Sequence, residues 1–238
     1  MSRQNYFVVV PVYNEQERVG IFLKKLKKIT KRILVVDDGS EDRSAEIVNR
    51  LKIPIIRHSI NLGKGAAMKT GAEVAWKLGT KRIVFMDGDD QHDPKILPAI
   101  LKKLDSGYDL VFAARTISTK TPLARYLGNR IGVYLINLFL GINRSDPFCG
   151  CFGMTKRAYD RIVWDSSNYN VETEITAKTI KNKLKYSEVP ISAIYHDKYK
   201  GITILDALKI MINIPKNLSV EEKIKKGLQL GTTKKKKV

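Results

Sequence analysis

An α/β domain built on a mainly parallel sheet is what this chain predicts, and three observations carry the prediction. Short apolar, β-branched runs alternate with stretches of helical period, the order in which strands and crossover helices build such a sheet. Polar, acid-rich clusters follow three of the runs directly. A length of 238 residues with 43% hydrophobic content suffices for one sizeable core.

The first strand is predicted over Tyr6 to Val12, leading into Pro11-Val12-Tyr13-Asn14-Glu15. Val19, Leu23, Leu26 and Ile29 then share one helical face, with Asn14 as candidate cap. Lysines 24, 25, 27 and 28 cover much of the rest and read as a solvated face. The second strand, Arg32 to Val36, ends in Asp37-Asp38-Gly39-Ser40, good turn chemistry. A third strand spans Ile53 to Arg57. The following Gly63-Lys64-Gly65-Ala66-Ala67-Met68-Lys69-Thr70 approaches two phosphate-binding patterns and fails both, because Met68 stands where a P-loop wants glycine and a dinucleotide fingerprint glycine or alanine. Its small residues, with Gly71, Ala72 and Ala75, suit a helix packed closely on the sheet, and Lys64 at its start can still face an anionic ligand.

The fourth strand, Arg82 to Met86, is followed by Asp87-Gly88-Asp89-Asp90-Gln91-His92, and Asp93-Pro94 opens the next helix. On that helix Ile96, Ile100 and Leu104, or Leu97, Leu101 and Leu104, share a face. Strands are predicted again at Asp109 to Ala114 and Glu188 to Tyr195. After about residue 115 the alternation fades into a loop, an apolar helix and a Cys-Gly-Cys segment. These read as completing one catalytic domain over 1–218, with a basic tail over 219–238.

The formal charge is +19, from 43 Lys and Arg against 24 Asp and Glu, which favours a polyanionic partner such as a phosphorylated substrate or an anionic membrane. The aromatics lack the interleaving of an RNA platform, so no nucleic-acid partner is expected. Cys149 and Cys151 form neither a disulfide framework nor a zinc pattern and read as reduced, structural thiols in a cytoplasmic setting. The apolar stretches Ile131 to Ile142 and Ile202 to Ile214 are shorter than the ~20 residues a spanning helix needs. The N-terminus shows no signal peptide, and Lys234 to Lys237 reads as a solvated run able to meet anionic lipid.

The acidic group after the fourth strand carries the most information. Carboxylates gathered at one strand end repel unless a cation or an array of donors compensates them. In an extended segment Asp87, Asp89 and Gln91 would present three oxygens to one side, with Asp90 and His92 turned away. Such oxygens suit Mg²⁺ or Mn²⁺. Ligands of open parallel sheets bind beyond the carboxyl ends of the strands, where all three acid-rich clusters fall.

Taken together, Val8-Val9-Val10-Pro11-Val12-Tyr13-Asn14-Glu15, Val35-Val36-Asp37-Asp38-Gly39-Ser40, Asn61-Leu62-Gly63-Lys64-Gly65 and Met86-Asp87-Gly88-Asp89-Asp90-Gln91-His92 resemble the successive motifs of family 2 glycosyltransferases. Within that family the chain most resembles the polyprenyl-phosphate (dolichyl-phosphate) mannosyl- and glucosyltransferases. Gly88 stands for the alanine of their Asp-Ala-Asp-x-Gln-His motif. Asp146-Pro147-Phe148-Cys149-Gly150-Cys151-Phe152 resembles their Asp-Pro-x-x-Gly-Phe segment, and Glu188-Val189-Pro190-Ile191 a later one. The resemblance covers roughly residues 6 to 204.

It implies a single nucleotide-sugar-binding domain of GT-A type, with a mixed, mostly parallel sheet flanked by helices. Pro11, Tyr13, Glu15 and Asp37 would hold the nucleoside. Asp87, Asp89 and Gln91 would bind Mg²⁺ or Mn²⁺, with Gly88 beside the donor, and Asp89 and Arg115 would act catalytically on the diphosphate or sugar. A late basic loop of the family, Arg-x-x-Gly-x-Ser-Lys, reads here Lys198-Tyr199-Lys200-Gly201-Ile202-Thr203-Ile204, so Lys198 supplies charge without the bidentate fork of arginine. Arg125, Asn129 and Arg130, ahead of an apolar run, would meet a lipid phosphate.

The resulting expectation is a metal-dependent, inverting transfer of mannose or glucose from GDP- or UDP-sugar to polyprenyl phosphate, on a chain peripherally attached to the membrane. A phosphate acceptor is already ionised near neutral pH, its second pKa being about 6, and requires no general base. Glu174 is the candidate base if the acceptor is instead a hydroxyl of a glycan, protein or small molecule; otherwise it is an exposed acid at a helix start. A third reading is a non-catalytic binder of nucleic acid or anionic surfaces.

Overall fold

Alternation along β1 (Tyr6–Val12) sets the architecture. Val8, Val10 and Val12 turn to one side of the sheet and Val9 to the other, and all are buried, so the strand must be covered on both faces. The computed structural model describes residues 5–116, 133, 144–147, 149–167 and 171–192. Within them lie β2 (Ile33–Asp37), β3 (Ile55–Arg57), β4 (Arg82–Phe85), β5 (Leu110–Thr116), β6 (Phe152–Thr155) and β7 (Tyr186–Ser192). With β1 they form one sheet in the order β3-β2-β1-β4-β6-β5-β7. β1 to β4 run parallel, and β6 runs antiparallel between β4 and β5. β7 is parallel to β5.

Helices α1 (Val19–Lys27), α2 (Ser44–Arg50) and α4 (Leu97–Asp105) cover the face of Val8 and Val10; α3 (Lys64–Lys77), α5 (Lys156–Ile162) and α6 (Val171–Lys181) cover the face of Val9. α1 inserts Val19, Phe22, Leu23 and Leu26, all fully buried, each stabilising the fold by roughly 1.5–3 kcal/mol. As the small residues foretold, α3 lies close on the sheet. A Cβ at Gly71 would stand 2.3 Å from a Val9 methyl, and Ala67, Ala72 and Ala75 are wholly buried.

The strand assignments hold to within two residues over the described chain, and β6 is the addition. Phe152-Gly153-Met154-Thr155 is too short and too glycine-marked to read as a strand locally. α4 packs directly on Gly153, where a Cβ would fall 2.6 Å from the Ile100 side chain. Tertiary pairing to β4 and β5 makes it extended. Among the described residues no helix is long and apolar enough to cross a membrane. The two apolar stretches lie outside the described residues, Val133 excepted.

Candidate active site

The carboxyl ends of β1 to β5 and of β7 share one edge with the start of β6, and the strand order reverses beside β1, the position of a ligand crevice in open α/β sheets. Two loops there are laced together. Asn14, at φ 52°, does not cap α1; its Oδ1 accepts from Glu41 N, and its own N–H donates to Ser40 Oγ. Glu15 N–H donates to Ser44 Oγ. Pro11 is buried and Tyr13 is 39% exposed at the rim.

Asp37 and Asp38 divide their labour. Asp38 accepts from the N–H groups of Leu62 and Gly63 and lies 2.7 Å from His58 Nδ1, which folds the 58–63 loop over the end of β2. Gly39, at φ 73°, permits this approach, since a Cβ would sit 2.6 Å from the Ile60 carbonyl carbon. Asp37 is fully buried; its Oδ1 accepts from Ser40 N–H, and Arg57 Nε lies 3.0 Å from its Oδ2.

The acidic segment is a turn, not a continuation of β4. Asp90 takes φ 59° and Gln91 N–H donates to Asp89 Oδ1, so strand alternation does not govern these side chains. Asp90 does point away, held by Lys25 Nζ at 2.7 and 2.8 Å; that lysine is therefore not part of a merely solvated face. His92, expected to turn away too, is buried beside the pair, with Nε2 3.4 Å from Cys149 Sγ. Burial and the neighbouring Asp87 charge raise the pKa of Asp89, whereas Asp87 is held low, Lys64 outweighing the effect of burial.

Lys64 is the hub of the site. Its Nζ lies 2.7 Å from Asp87 Oδ1 and 2.6 Å from Glu172 Oε1; burial alone would lower its pKa, but the two carboxylates drive it well above the usual lysine range. The segment after α5 fixes the start of α3: Trp164 Nε1 donates to Gly65 O at 2.8 Å, and Gly65 N–H donates to Ser167 O. Glu174 holds that segment, accepting from the N–H groups of Asp165 and Ser166 and pairing with Lys178. Burial opposes it, but these bonds lower its pKa. Glu174 is thus neither an exposed acid nor placed as a base.

On the far side Arg115 makes a two-pronged pair with Asp146, through Nε to Oδ2 and through Nη2 to Oδ1 at 3.0 Å. Asp146 is itself set by Arg144, which is 1% exposed, lies 3.7 Å over the Phe112 ring, and donates to Asp146 O, Thr176 Oγ1 and Glu188 Oε1. Cys149 and Cys151 are free and buried; burial pushes the Cys149 thiol up to about 12, so both are structural, as read from their pattern.

Geometry of this kind meets a family-wide pattern described as Glycosyl transferase family 2, which matches residues 7–163. The chain belongs to that family. The transferase is 33% identical over 224 residues to an uncharacterized protein of Methanocaldococcus jannaschii, covering 90% of this chain and 92% of that one. It is 26% identical to the polyprenol monophosphomannose synthase of Mycolicibacterium smegmatis, over 79% and 77% of the two chains. It is also 26% identical to the UDP-N-acetylglucosamine–dolichyl-phosphate N-acetylglucosaminyltransferase of Methanococcus voltae, over 90% and 96%. Its fold is shared by glucosyl-3-phosphoglycerate synthase of Mycobacterium tuberculosis, crystallised with Mn²⁺, UDP and phosphoglyceric acid, at a TM-score of 0.70 and 15% identity over 90% and 78% of the chains.

The fold thus gathers Pro11, Tyr13, Glu15, Asp37, Asp87, Gly88, Asp89, Gln91 and Arg115 of the transferase at one edge of the sheet. Arg125, Asn129, Arg130, Lys198, Lys200 and the Lys234 to Lys237 run lie outside the described residues. Sequence reading missed Glu172, whose neighbour Glu174 drew the attention, and Arg57, although it ends a strand as the other site clusters do. In the sequence Gly150 stands out only as part of the Asp146 to Phe152 motif. A Cβ there would fall 2.2 Å from Asp87 Oδ2 and 2.7 Å from Lys64 Nζ. Gly150→Ala is accordingly expected to displace Asp87 and lower the turnover of the transferase about a hundredfold, the scale of a misplacement near 1 Å. An assay of sugar transfer beside a thermal melt checks this; unchanged turnover would mean that Asp87 needs no fixed position.

Proposed function

We propose that this glycosyltransferase moves a hexose from a nucleoside-diphosphate sugar to a polyprenyl phosphate, with a divalent cation and inversion at the anomeric carbon. The observation that carries the reading is the pairing of Asp87 with Asp89 at the carboxyl end of β4, between Lys64 and Arg115. The donor set fits a hard cation: carboxylate and amide oxygens from Asp87, Asp89 and Gln91, with Gly150 letting the Asp87 carboxylate and Lys64 come up against its backbone. Among the described residues no group of three or more His, Cys, Asp or Glu side chains forms a metal site. Mg²⁺ or Mn²⁺ would rest on the oxygens of Asp87, Asp89 and Gln91 together with the phosphates of the donor, few protein carboxylates being common for Mg²⁺. When bound, the cation supplies positive charge against the departing diphosphate.

The chain's own residues do the rest. Pro11, Tyr13, Glu15 and Asp37 line the nucleoside side of the edge. Arg115, oriented by Asp146, faces the developing negative charge, where a preset cation is worth most. Lys198 would add to it. Arg125 and Arg130 would hold the acceptor phosphate at a membrane surface, giving peripheral attachment. A phosphate nucleophile requires no base, which agrees with a site where the carboxylate oxygens of Glu174 are already engaged. The curated relatives named for polyprenol and dolichyl phosphate support this acceptor class.

Incubation with Mn²⁺, a short polyprenyl phosphate and labelled GDP-mannose, UDP-glucose or UDP-N-acetylglucosamine tests the reading. Label is expected in the lipid phase with one of the donors. Label that reaches only a hydroxyl acceptor would replace the lipid-phosphate assignment.

A further inference from the structure

We infer that Lys64 is an internal counter-cation of Asp87, given up to the divalent cation when a diphosphate arrives, and that Glu172 is the positioning residue that holds the ammonium through the exchange; this rests on the donor-site reading above. Two claims fall on one carboxylate. Asp87 Oδ1 lies 2.7 Å from Lys64 Nζ, and the same side chain is a proposed ligand of Mg²⁺ or Mn²⁺. An ammonium and a divalent cation drawn to one carboxylate repel each other, so each weakens the binding of the other.

Lys64 does not simply withdraw into water. Its side chain is 14% exposed, and a Cβ at Gly150 would fall 2.7 Å from its Nζ, so the Gly150 backbone closes that side. The start of α3 is fastened by Trp164 Nε1 donating to Gly65 O and by Gly65 N–H donating to Ser167 O. With the main chain held, only the flexible lysine stem carries the charge elsewhere. Glu172 Oε1, 2.6 Å from Nζ on a side chain 8% exposed, is the second anion within its reach. The ammonium can therefore leave Asp87 while keeping Glu172.

Stability alone is a poor account of these three charges, because a buried ion pair adds little over well-packed apolar side chains. Glu172 is also an acid of this edge that neither the cation nor the nucleoside uses in the reading above. The diphosphate supplies what the exchange needs. It brings negative charge to the edge where Lys64 stands, and lysine serves phosphate as a point charge. Lys64 then divides its donors between Glu172 and phosphate, and Asp87 joins Asp89 on the cation. Cation and diphosphate thereby tighten one another through Lys64, and such coupling is reciprocal.

Calorimetric titration of the full chain with Mn²⁺, alone and then with UDP or GDP, decides the matter; the direct bond between cation and phosphate is common to all variants and cancels in their comparison. Lys64→Met is expected to bind Mn²⁺ alone about tenfold more tightly than wild type, and to gain less from the nucleotide. Mn²⁺ should also raise its melting temperature by more than it raises that of wild type. Glu172→Gln leaves Lys64 to Asp87 and should move the other way, binding Mn²⁺ alone about tenfold more weakly. That variant keeps the Lys64–Asp87 pair, so the inference stays testable should Lys64→Met not fold. Added to Lys64→Met, Glu172→Gln should have a much smaller effect, because Glu172 acts through Lys64. Mn²⁺ binding that is no tighter in Lys64→Met, no weaker in Glu172→Gln, or weakened by Glu172→Gln equally with and without Lys64, overturns the inference and leaves the donor site standing. Wild type binding neither Mn²⁺ nor a nucleoside diphosphate removes the donor-site reading, and this inference with it.

Discussion

Asp89→Ala is expected to abolish sugar transfer, by about 10³-fold or more, while leaving the protein as stable as before or slightly more so. The activity loss follows from removing one of two carboxylates proposed to hold the cation and, through it, the charge on the departing diphosphate; a single preset electrostatic group is commonly worth 10²–10³ in rate. The stability result follows from the site itself. Burial and the adjacent Asp87 raise the pKa of Asp89, so its charge is a cost to the folded chain that alanine removes. Activity and stability moving in opposite directions is the mark of a site held under strain for function. Transfer assays, Mn²⁺ titration by calorimetry and thermal melts read the three quantities. Transfer that survives Asp89→Ala would take this residue out of the cation site.

Lys64→Met should produce the largest loss of stability at this edge. The ammonium is 14% exposed and serves two carboxylates, Asp87 and Glu172, whose side chains are 20% and 8% exposed. Removing it leaves two like charges, one buried and one largely so, on the place it vacates, and loss of one partner of a buried pair costs about 3–5 kcal/mol. For a chain of this size that lowers the melting temperature by roughly 6–20 °C. Adding Glu172→Gln should recover a measurable part of the loss, because it deletes one of the stranded charges. Such coupling is what a double-mutant cycle detects. Lys64→Met lowering stability by less than about 1 kcal/mol would show that the ion pair is better solvated than its geometry implies. Transfer should also fail in the single variant, since Asp87 loses the group that holds its carboxylate in place.

How much of this was legible beforehand differs by element. β1, β2, β4 and β5 announce themselves because each carries a short apolar run buried on both faces, and helix α3 because its glycines and alanines suit close packing. Asp87 and Asp89 were legible because three acids directly after a buried run are expensive to gather without purpose. Their orientation was not. The expectation that Asp90 and His92 would both turn away assumed an extended segment; the φ of 59° at Asp90 breaks that periodicity, and His92 comes in beside the pair. Glu172 and Glu174 differ by two positions on one helix and look alike in sequence. One closes an ion pair with Lys64, and the other fastens the loop that clamps α3. Only the tertiary placement of α6, which sets Glu172 on Lys64 and Glu174 under the N–H groups of Asp165 and Ser166, separates them.

By itself, the order of apolar runs and the acid-rich turns between them determined an α/β sheet with its chemistry at the carboxyl edge, and the motif set determined the family. These are local properties: side-chain period, turn composition and spacing along one stretch of chain. Tertiary structure alone decided which charges meet. It brought Lys64 from α3 to Asp87 after β4 and Glu172 from α6, laid Gly150 against them, oriented Arg115 through Asp146 and Arg144, and set Arg57 beside Asp37. The reason is physical. A charge pair depends on distances of a few ångströms between residues tens of positions apart, and those distances come into being only when the strands pair and the helices settle on them.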